Sequence, residues 1–470
     1  MTAGGAPEPV SYRVADRLRT EAPWEVFGER ARRYELHFNG RVIESVRGPL
    51  LVEGYGVRIF RPHGDRTGTG FQASTEVTDE GIAHTLADAE KVATHSDFPT
   101  KKVVLPSAVS MAGVEVVDPH LWESPLPRLQ AYVDALLAPF DTIKDVVPSF
   151  GSVRATLSEN SLANSSGLRG TYRHTTAALE LAVKAFGGPE GTPPGEYWVN
   201  QLERRVDPDH AGDPVAAWCQ YARDARRAKA PPTGELPVVL PPSSLAGILP
   251  SVVGSRWTGT ARLREIAPVP GSMVAGPNVT VHDDGRFPWA PNTAPMDDEG
   301  TPTRRRVLIE TGAASELMYD VLHAGAFDVP ASGNGFRGLS FGYRDWLRFT
   351  HAPTTGASTL VMAPGSGGTD MEIAEATGDG IWVQQLGWAN PDPVSGSFGG
   401  EIRIGYRIRN GKIAEPVRGG TVGGTVLAPV GAPSLLTSIA AIGSEALLVD
   451  DLSCPTLLVR PLTVAGDAGG

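Results

Sequence analysis

Glu401-Ile402-Arg403-Ile404-Gly405-Tyr406-Arg407-Ile408-Arg409-Asn410-Gly411-Lys412-Ile413-Ala414-Glu415 decides the fold class. Ile402, Ile404, Tyr406 and Ile408 recur at every second position, with Glu401, Arg403, Arg407 and Arg409 around them. That period puts apolar side chains on one face of a strand and charges on the other. Asn410-Gly411 then supplies two residues that tolerate the positive φ angles of a type I′ turn. The stretch predicts an antiparallel hairpin with one packed and one wet face.

Moving toward the N-terminus, Pro231 to Ser244 is proline-rich and surrounds one short apolar run, Val238-Val239-Leu240. A boundary between two halves is placed here. Before it, Tyr34 to Phe38 alternates and meets Asn39-Gly40, a second type I′ hairpin signal. Ile82, Leu86, Ala89 and Ala93 recur at helical spacing after Thr78, a candidate N-cap, and Leu129, Val133, Leu136 and Leu137 do the same. Strands return at Val153–Leu157 and Leu179–Val183, and a third helix is expected over 213–229, from Asp213-Pro214 to Ala230-Pro231-Pro232. The expected fold class is α+β. Residues 1–9 form a disordered arm, 10–230 an N-terminal α/β domain with a mixed sheet and two helices, and 231–470 a β-rich C-terminal domain.

Composition bounds the function. The chain has 470 residues, 55 of them Gly and 40 Pro, which suits many short elements. Its formal charge of −11 argues against non-specific nucleic-acid binding, which needs a basic surface to displace counterions. Arg304-Arg305-Arg306 reads as a solvated strand start. The two cysteines, Cys219 and Cys454, are far apart and make neither a disulfide framework nor a zinc knuckle, which fits a reducing cytoplasm. No signal peptide and no membrane span are expected, because the N-terminus lacks an apolar h-region and no run of ~18 apolar residues occurs.

No constellation of catalytic residues stands out. HExxH is absent, and His84 and His95, 11 positions apart, lie roughly 16 Å apart along a helix. His282-Asp283-Asp284 reads as a solvated turn, and Cys454 as a small core residue. Gly333, Gly335 and Gly338 fit G-x-G-x-x-G by letter, and Gly338-Leu339-Ser340-Phe341-Gly342 fits G-x-S-x-G. A nucleophile elbow needs a strand before its serine, whereas a glycine-rich turn precedes this one, so both are read as coincidences.

Several segments nevertheless occur in a telling order. They are Gly54-Tyr55-Gly56-Val57-Arg58, Gly70-Phe71-Gln72-Ala73-Ser74-Thr75 and Asn164-Ser165-Ser166-Gly167. Asp297-Asp298-Glu299-Gly300-Thr301-Pro302-Thr303 follows, running into Leu308-Ile309-Glu310-Thr311-Gly312, and then Ser332-Gly333-Asn334-Gly335 with Arg337. Asn410-Gly411-Lys412 with Pro416-Val417-Arg418, and the closing stretch from Pro455 to Gly466, complete the series. This series resembles the TldD/PmbA family over nearly the whole chain. In its peptidase-type members that family carries H-E-x-x-x-H shortly after an apolar strand. The matching segment here is Gly247 to Ser255, and it puts Pro250 and Ser255 at the two histidine positions and Ser251 at the glutamate position. None of the three is a zinc ligand or general base, and Pro250 is expected to disturb a helix placed there. The family's third ligand, a cysteine ahead of the closing strand, is replaced by Gly443-Ser444-Glu445-Ala446.

The resemblance therefore implies a zinc-free subunit, of the PmbA/TldE-like kind, with no catalytic residue and no cofactor of its own. Zinc is expected in a partner, an HExxxH-bearing TldD-like subunit forming a heterodimer. The substrate implied is an unfolded or modified peptide. Asn334, Arg337 and Glu299 are the candidate substrate-binding residues, and Trp289, Trp346, Trp382 and Trp388 the candidate interface anchors. Two alternatives are a stand-alone enzyme using residues 297–299 with Glu310, or 282–284, and a regulatory binding module.

Overall fold

Short turns between consecutive alternating segments dictate the first sheet. β1 (Trp24–Asn39), β2 (Val42–His63), β3 (Arg66–Ser74), β4 (Val146–Asn164), β5 (Arg169–Ala185) and β6 (Gly195–Glu203) lie in the order β3-β2-β1-β4-β5-β6. The computed structural model describes residues 8–107, 111, 113–187, 193–338, 346–428 and 431–466. The arm expected over 1–9 thus lies mostly outside the described residues, and so does most of the G-x-S-x-G match.

Every pair in this sheet is antiparallel, not mixed as expected. The reason is connectivity: a tight turn reverses the chain, and a parallel neighbour needs a crossover of a dozen or more residues. The one long excursion, from β3 to β4, carries α2 (Asp79–His95), α3 (Pro119–Glu123) and α4 (Pro125–Leu137), and returns β4 beside β1 in the opposite direction. α1 (Val10–Ala15) and α5 (Val215–Arg227) also pack on this half. Thr78 caps α2 by accepting from the Gly81 amide at 3.0 Å. Leu129, Val133 and Leu136 of α4 are fully buried against Leu36, Val153 and Leu181 of the sheet.

The second half holds the remaining strands. β7 (Gly234–Leu240), β8 (Val281–Asp284), β9 (Arg305–Glu310) and β10 (Ala313–Ala314) come first, and β11 (Gly335–Phe336) pairs β12 (Thr354–Thr355) in a small ribbon. β13 (Leu360–Met362), β14 (Gly380–Leu386), β15 (Ser397–Arg409), β16 (Lys412–Val417), β17 (Thr421–Thr425), β18 (Ile439–Val449) and β19 (Leu452–Ala465) follow. β19 bonds to both β17 and β7, so β7-β14-β15-β17-β19 closes into a five-stranded barrel. The parallel pairs, β7 with β14 and β13 with β19, are here. Short helices connect the strands: α6 (Pro242–Leu245), α7 (Leu249–Arg256), α8 (Gly259–Leu263), α9 (Val321–Ala326) and α10 (Asp370–Thr377).

The hairpin of residues 401–415 forms as read, with Asn410 at φ 49° and Gly411 at φ 75°. The Asn39-Gly40 turn differs. Its loop is Gly40-Arg41 and only Gly40 has positive φ, so it is not type I′. β15 also joins the halves. Ile402 packs in the second core, while Ile404 is fully buried in the core beneath the first sheet. The Tyr406 hydroxyl donates to Asp224 of α5 at 2.9 Å. Full burial of such an isoleucine contributes about 1.5–3 kcal/mol, so this strand ties the halves together. The opposite face of the first sheet, carrying Glu25, Phe27 and Glu29, is covered by residues 294–296 and 347–349.

Candidate functional site

The segment aligned with the zinc motif forms α7. Leu249, Val252 and Val253 are buried, whereas Ser251 and Ser255 are exposed and Pro250 is half-buried beside them. The apolar residues recur at helical spacing and seat the helix on the core, which turns the three motif positions outward. Pro250 does not disturb this helix. It sits in the first turn, where a backbone N–H has no intrahelical acceptor and its absence costs nothing.

Zinc does not fit here: a proline ring and two serine hydroxyls offer no imidazole, thiolate or carboxylate. Glu445, in the segment aligned with the third ligand, is exposed on β18. Among the described residues, no three His, Cys, Asp or Glu side chains converge as a metal site would need. Cys454 is buried in β19, and burial alone pushes its thiol far up. Burial likewise pushes Cys219 to about 11. Neither is a metal-ready thiolate at neutral pH.

Three of the other matched segments, Gly54–Arg58, Asp297–Thr301 and Ser332–Arg337, meet at one place inside the molecule. Residues 297–301 form a tight turn in which Asp297 Oδ1 accepts from the amides of Glu299 at 3.1 Å and Thr301 at 2.8 Å. Asp297 Oδ2 accepts from the Gly335 amide at 2.8 Å. Asp298 Oδ2 accepts from the Arg337 amide at 2.8 Å, and Oδ1 pairs closely with Arg348. Glu299 pairs closely with Arg58 and accepts from the Val321 amide at 2.8 Å. Arg58 also reaches Glu25 at 2.9 Å, and Arg337 donates to the other oxygen of Glu25 at 2.8 Å and to the His351 carbonyl at 2.6 Å. Arg337 lies over the rings of Phe27 and Phe71, at 5.0 and 5.5 Å. The glycines of the first motif serve packing: a Cβ at Gly54 or Gly56 would strike Phe349.

The three candidate substrate-binding residues are all interior, at 1% exposure for Glu299, 2% for Asn334 and 0% for Arg337. Asn334 donates to Asp283 at 2.6 Å and to the Gly356 carbonyl at 3.1 Å, and accepts from Ser332 at 2.7 Å. The structure thus assigns them internal partners. It joins Glu299 and Arg337 through Glu25 and Arg58, and leaves Asn334 beside them in a separate set of bonds.

Carboxylates outnumber cations in this cluster. Glu25, Glu29, Asp297, Asp298 and Glu299 face Arg58, Arg337 and Arg348, all buried. Burial raises Asp297 to about 7 against three amide hydrogen bonds that lower it. Burial also raises Glu299, with Arg58 opposing. Glu29 is raised to about 7, again by burial, with Arg348 the main opposing charge. The amides of Arg348 and Phe349 face Glu29, yet neither of its oxygens is in hydrogen-bonding geometry. Glu29 is therefore the carboxyl best suited to hold a proton near neutrality, since Asp297 and Glu299 accept from donors that favour the ionised form. Burial pulls Arg337 down to about 10, whereas the surrounding carboxylates keep Arg58 and Arg348 above the ordinary value.

Sequence reading did not single out Glu25, Glu29, Arg348 or Tyr172, whose hydroxyl accepts from Arg348 at 3.0 Å. A signal existed: Glu25 and Glu29 flank Phe27 at alternate positions of a strand otherwise suited to burial.

Other expectations change. His282-Asp283-Asp284 is strand β8, not a solvated turn. Asp283 is buried and accepts from the Ser358 amide at 2.6 Å, while His282 is half-exposed. Arg304 and Arg305 are solvated, but Arg306 is buried and donates to the Ser332 carbonyl at 2.6 Å. Glu310 is exposed at the end of β9 and shares no surface with buried residues 297–299. Among the tryptophans, Trp382 is buried, Trp289 and Trp346 are half-buried against Arg205 and Arg33, and Trp388 is 81% exposed. No helix among the described residues is long and apolar enough to cross a membrane.

Comparison with known proteins agrees with this architecture. The profile of the PmbA/TldA metallopeptidase C-terminal domain matches residues 233–466. A metalloprotease TldD homolog of Haemophilus influenzae is 30% identical over 201 residues, which are 42% of this chain and 40% of that protein. A second TldD homolog, from Buchnera aphidicola, is 28% identical over 200 residues, 39% of each chain. The chain thus spans well under half the length of these curated relatives. The crystal structure of TldE from Thermococcus kodakarensis superposes with a TM-score of 0.77 at 20% identity, covering 97% of this chain and 99% of that one. With three of its motif segments meeting in one buried cluster and its second half matched by the family profile, the chain belongs to the TldD/PmbA metallopeptidase family.

Proposed function

We propose that this chain is the zinc-free subunit of a TldD/PmbA-type metallopeptidase, paired in the cytoplasm with an HExxxH-bearing TldD-like subunit. The observation that carries this reading is α7, a well-formed helix presenting Pro250, Ser251 and Ser255 where the family's peptidase-type members present zinc ligands and base. The helix that would hold the metal is kept while its ligands are gone, which suits a subunit whose fold is needed and whose chemistry is supplied by another. Its physical role would be to complete the chamber around an unfolded or modified peptide and to hold that peptide extended, through main-chain pairing at strand edges.

The outer edge of β2 offers a docking surface for the partner. β3 pairs β2 only from Tyr55 to His63, so among the described residues no strand pairs the outer side of residues 42–53. Val42, Val46, Leu50 and Leu51 stand 66, 53, 46 and 71% exposed along it. A long apolar edge of this kind is an association site unless covered.

Co-expression with an HExxxH-bearing family subunit tests the reading. The two should co-purify as a stable pair with zinc only in the partner, and cleavage of an unfolded peptide should need both. Full activity from the zinc subunit alone, or cleavage by this chain alone, would overturn it.

A further inference from the structure

Beside the charge cluster, three side chains form a relay that the peptide-handling reading does not use. Asp320 caps α9, accepting from the His323 amide at 2.8 Å. The His323 ring turns back on the same carboxylate, with Nδ1 at 2.7 and 2.8 Å from its two oxygens. Burial raises Asp320, but the ring and amide of His323 outweigh it and hold the carboxyl below its ordinary value. Thr355 adds a further donor at 2.8 Å. An ionised carboxylate only accepts, so Nδ1 carries the proton and Nε2 presents its lone pair. Nε2 lies 3.1 Å from Oγ1 of Thr260, on α8, and the threonine hydroxyl donates to it.

Packing holds this geometry. A Cβ at Gly259 would come within 2.4 Å of the His323 Cβ, so glycine there lets α9 approach α8 closely enough for the bond to Thr260. Phe98 meets the imidazole edge-on, with ring centroids 5.1 Å apart. The Val321 amide donates to Glu299 and ties the start of α9 to the charge cluster. The His323 side chain is 11% exposed and Thr260 is half-buried, so the relay runs from the interior toward the surface. A helix cap needs only the carboxylate and an amide. It does not call for a ring nitrogen returned to that carboxylate, nor for a hydroxyl on the other nitrogen. An orienting carboxylate, an imidazole and a hydroxyl in hydrogen-bond reach are the parts of an activated nucleophile.

We propose that Thr260, His323 and Asp320 accept acyl groups from activated carboxylic esters, an activity that needs no metal and is separate from the peptidase role. Thr260 Oγ1 attacks the ester carbonyl carbon while His323 Nε2 takes its proton. The bond to the leaving oxygen then breaks, and the departing alcohol takes the proton from the imidazolium. Water attacks the acyl-threonine in the same way. Its proton passes through Nε2 to Thr260 Oγ1, and the carboxylic acid leaves. Thr260 and His323 are the catalytic residues, and Asp320 is a positioning residue that sets the tautomer and the ring plane. The substrate class follows from the nucleophile. A secondary hydroxyl is hindered, so it suits a weakly basic phenolate or similar leaving group rather than an amide nitrogen.

The test uses the full chain alone, with a chelator present, and p-nitrophenyl acetate near neutral pH. Phenolate release is read by absorbance, and the acid-quenched protein is digested and weighed to find the acetylated residue. Acetyl should appear on Thr260. Thr260→Val keeps the side-chain shape and His323→Gln keeps a polar group beside it. Each should lower the rate at least about tenfold and remove that adduct. Thr260→Ser should retain both. Asp320→Asn should lower kcat with little change in KM, and a change in KM alone would remove Asp320 from the relay. Urea unfolding of each variant shows whether a lost rate is a lost fold, and T260S carries the test if H323Q or D320N folds poorly. Release no faster than in buffer, an equal rate in T260V, or acetyl confined to other residues would overturn the proposal. The assay contains no partner subunit, so its failure leaves the subunit reading standing, and failure of the co-expressed pair leaves the relay standing.

Discussion

Replacing Glu29 by Gln should stabilise this protein, and by an amount that depends on pH. Glu29 is fully buried with neither oxygen hydrogen-bonded, in a cluster where carboxylates exceed cations. Burial lifts its carboxyl from the ordinary 4.5 to about 7. A carboxyl raised on folding binds its proton more tightly in the native state, so stability is greatest at low pH and falls as pH rises from about 4.5 through about 7. At 1.36 kcal/mol per pH unit, that rise corresponds to about 3 kcal/mol lost by pH 8. Glutamine keeps the shape of the neutral form and cannot ionise. Urea unfolding of wild type and E29Q at pH 5 and pH 8 reads this directly: near-equal stability at pH 5, and E29Q ahead by about 3 kcal/mol at pH 8. If E29Q were instead less stable at pH 8 than at pH 5, relative to wild type, Glu29 would be an ionised partner of Arg348 and the assignment of the proton would be wrong.

Arg337→Met should destabilise by about 3–5 kcal/mol in the same assay, because it strands one oxygen of Glu25 and the His351 carbonyl without their donor in a dry interior, leaving Glu25 only Arg58. Gly411→Ala should lower the unfolding free energy by about 1 kcal/mol or more, since φ is 75° and a Cβ would press on the Glu375 backbone. Gly40→Ala, at φ 57° with open space around it, should cost less. Both cysteines should resist iodoacetamide in the native chain at pH 8 and react in urea, as measured by mass, because burial removes access and raises both thiols.

How much was legible in the sequence depended on the range of the interaction. Residues 401–415 and 79–95 announced themselves, since a hairpin and an amphipathic helix are set by neighbours within a few positions. The Asn39-Gly40 turn shows the limit even there, for the pairing of β1 with β2 slipped the loop by one residue. Pro250 was misread because its effect depends on where the helix begins, and only packing of Leu249 and Val252 fixes that start. Asp283 was misread because the partner that justifies its burial, Asn334, lies 51 positions away. The charge cluster could not be read at all from local pattern: Arg58 and Glu299 are 241 residues apart, and Arg337 and Glu25 are 312 apart.

That separation bears on what the matched motifs do in this chain. Gly54–Arg58, Asp297–Gly300 and Ser332–Arg337 look, as sequences, like the remains of a site. In the structure they hold the first sheet to the second half through ion pairs with no solvent to screen them. Buried ion pairs add little net stability over apolar packing, yet removing one partner is costly, so such a cluster locks an arrangement more than it strengthens a fold. The positions that carry zinc chemistry elsewhere in the family lie on the exposed face of α7, where substitution leaves the core untouched. A chain can therefore lose its metal ligands without consequence for folding while the joint between its halves stays constrained. The zinc-free subunit proposed above would follow the same division, with substitution cheap at Ser251 and Ser255 on the exposed face of α7 and costly at the buried joint.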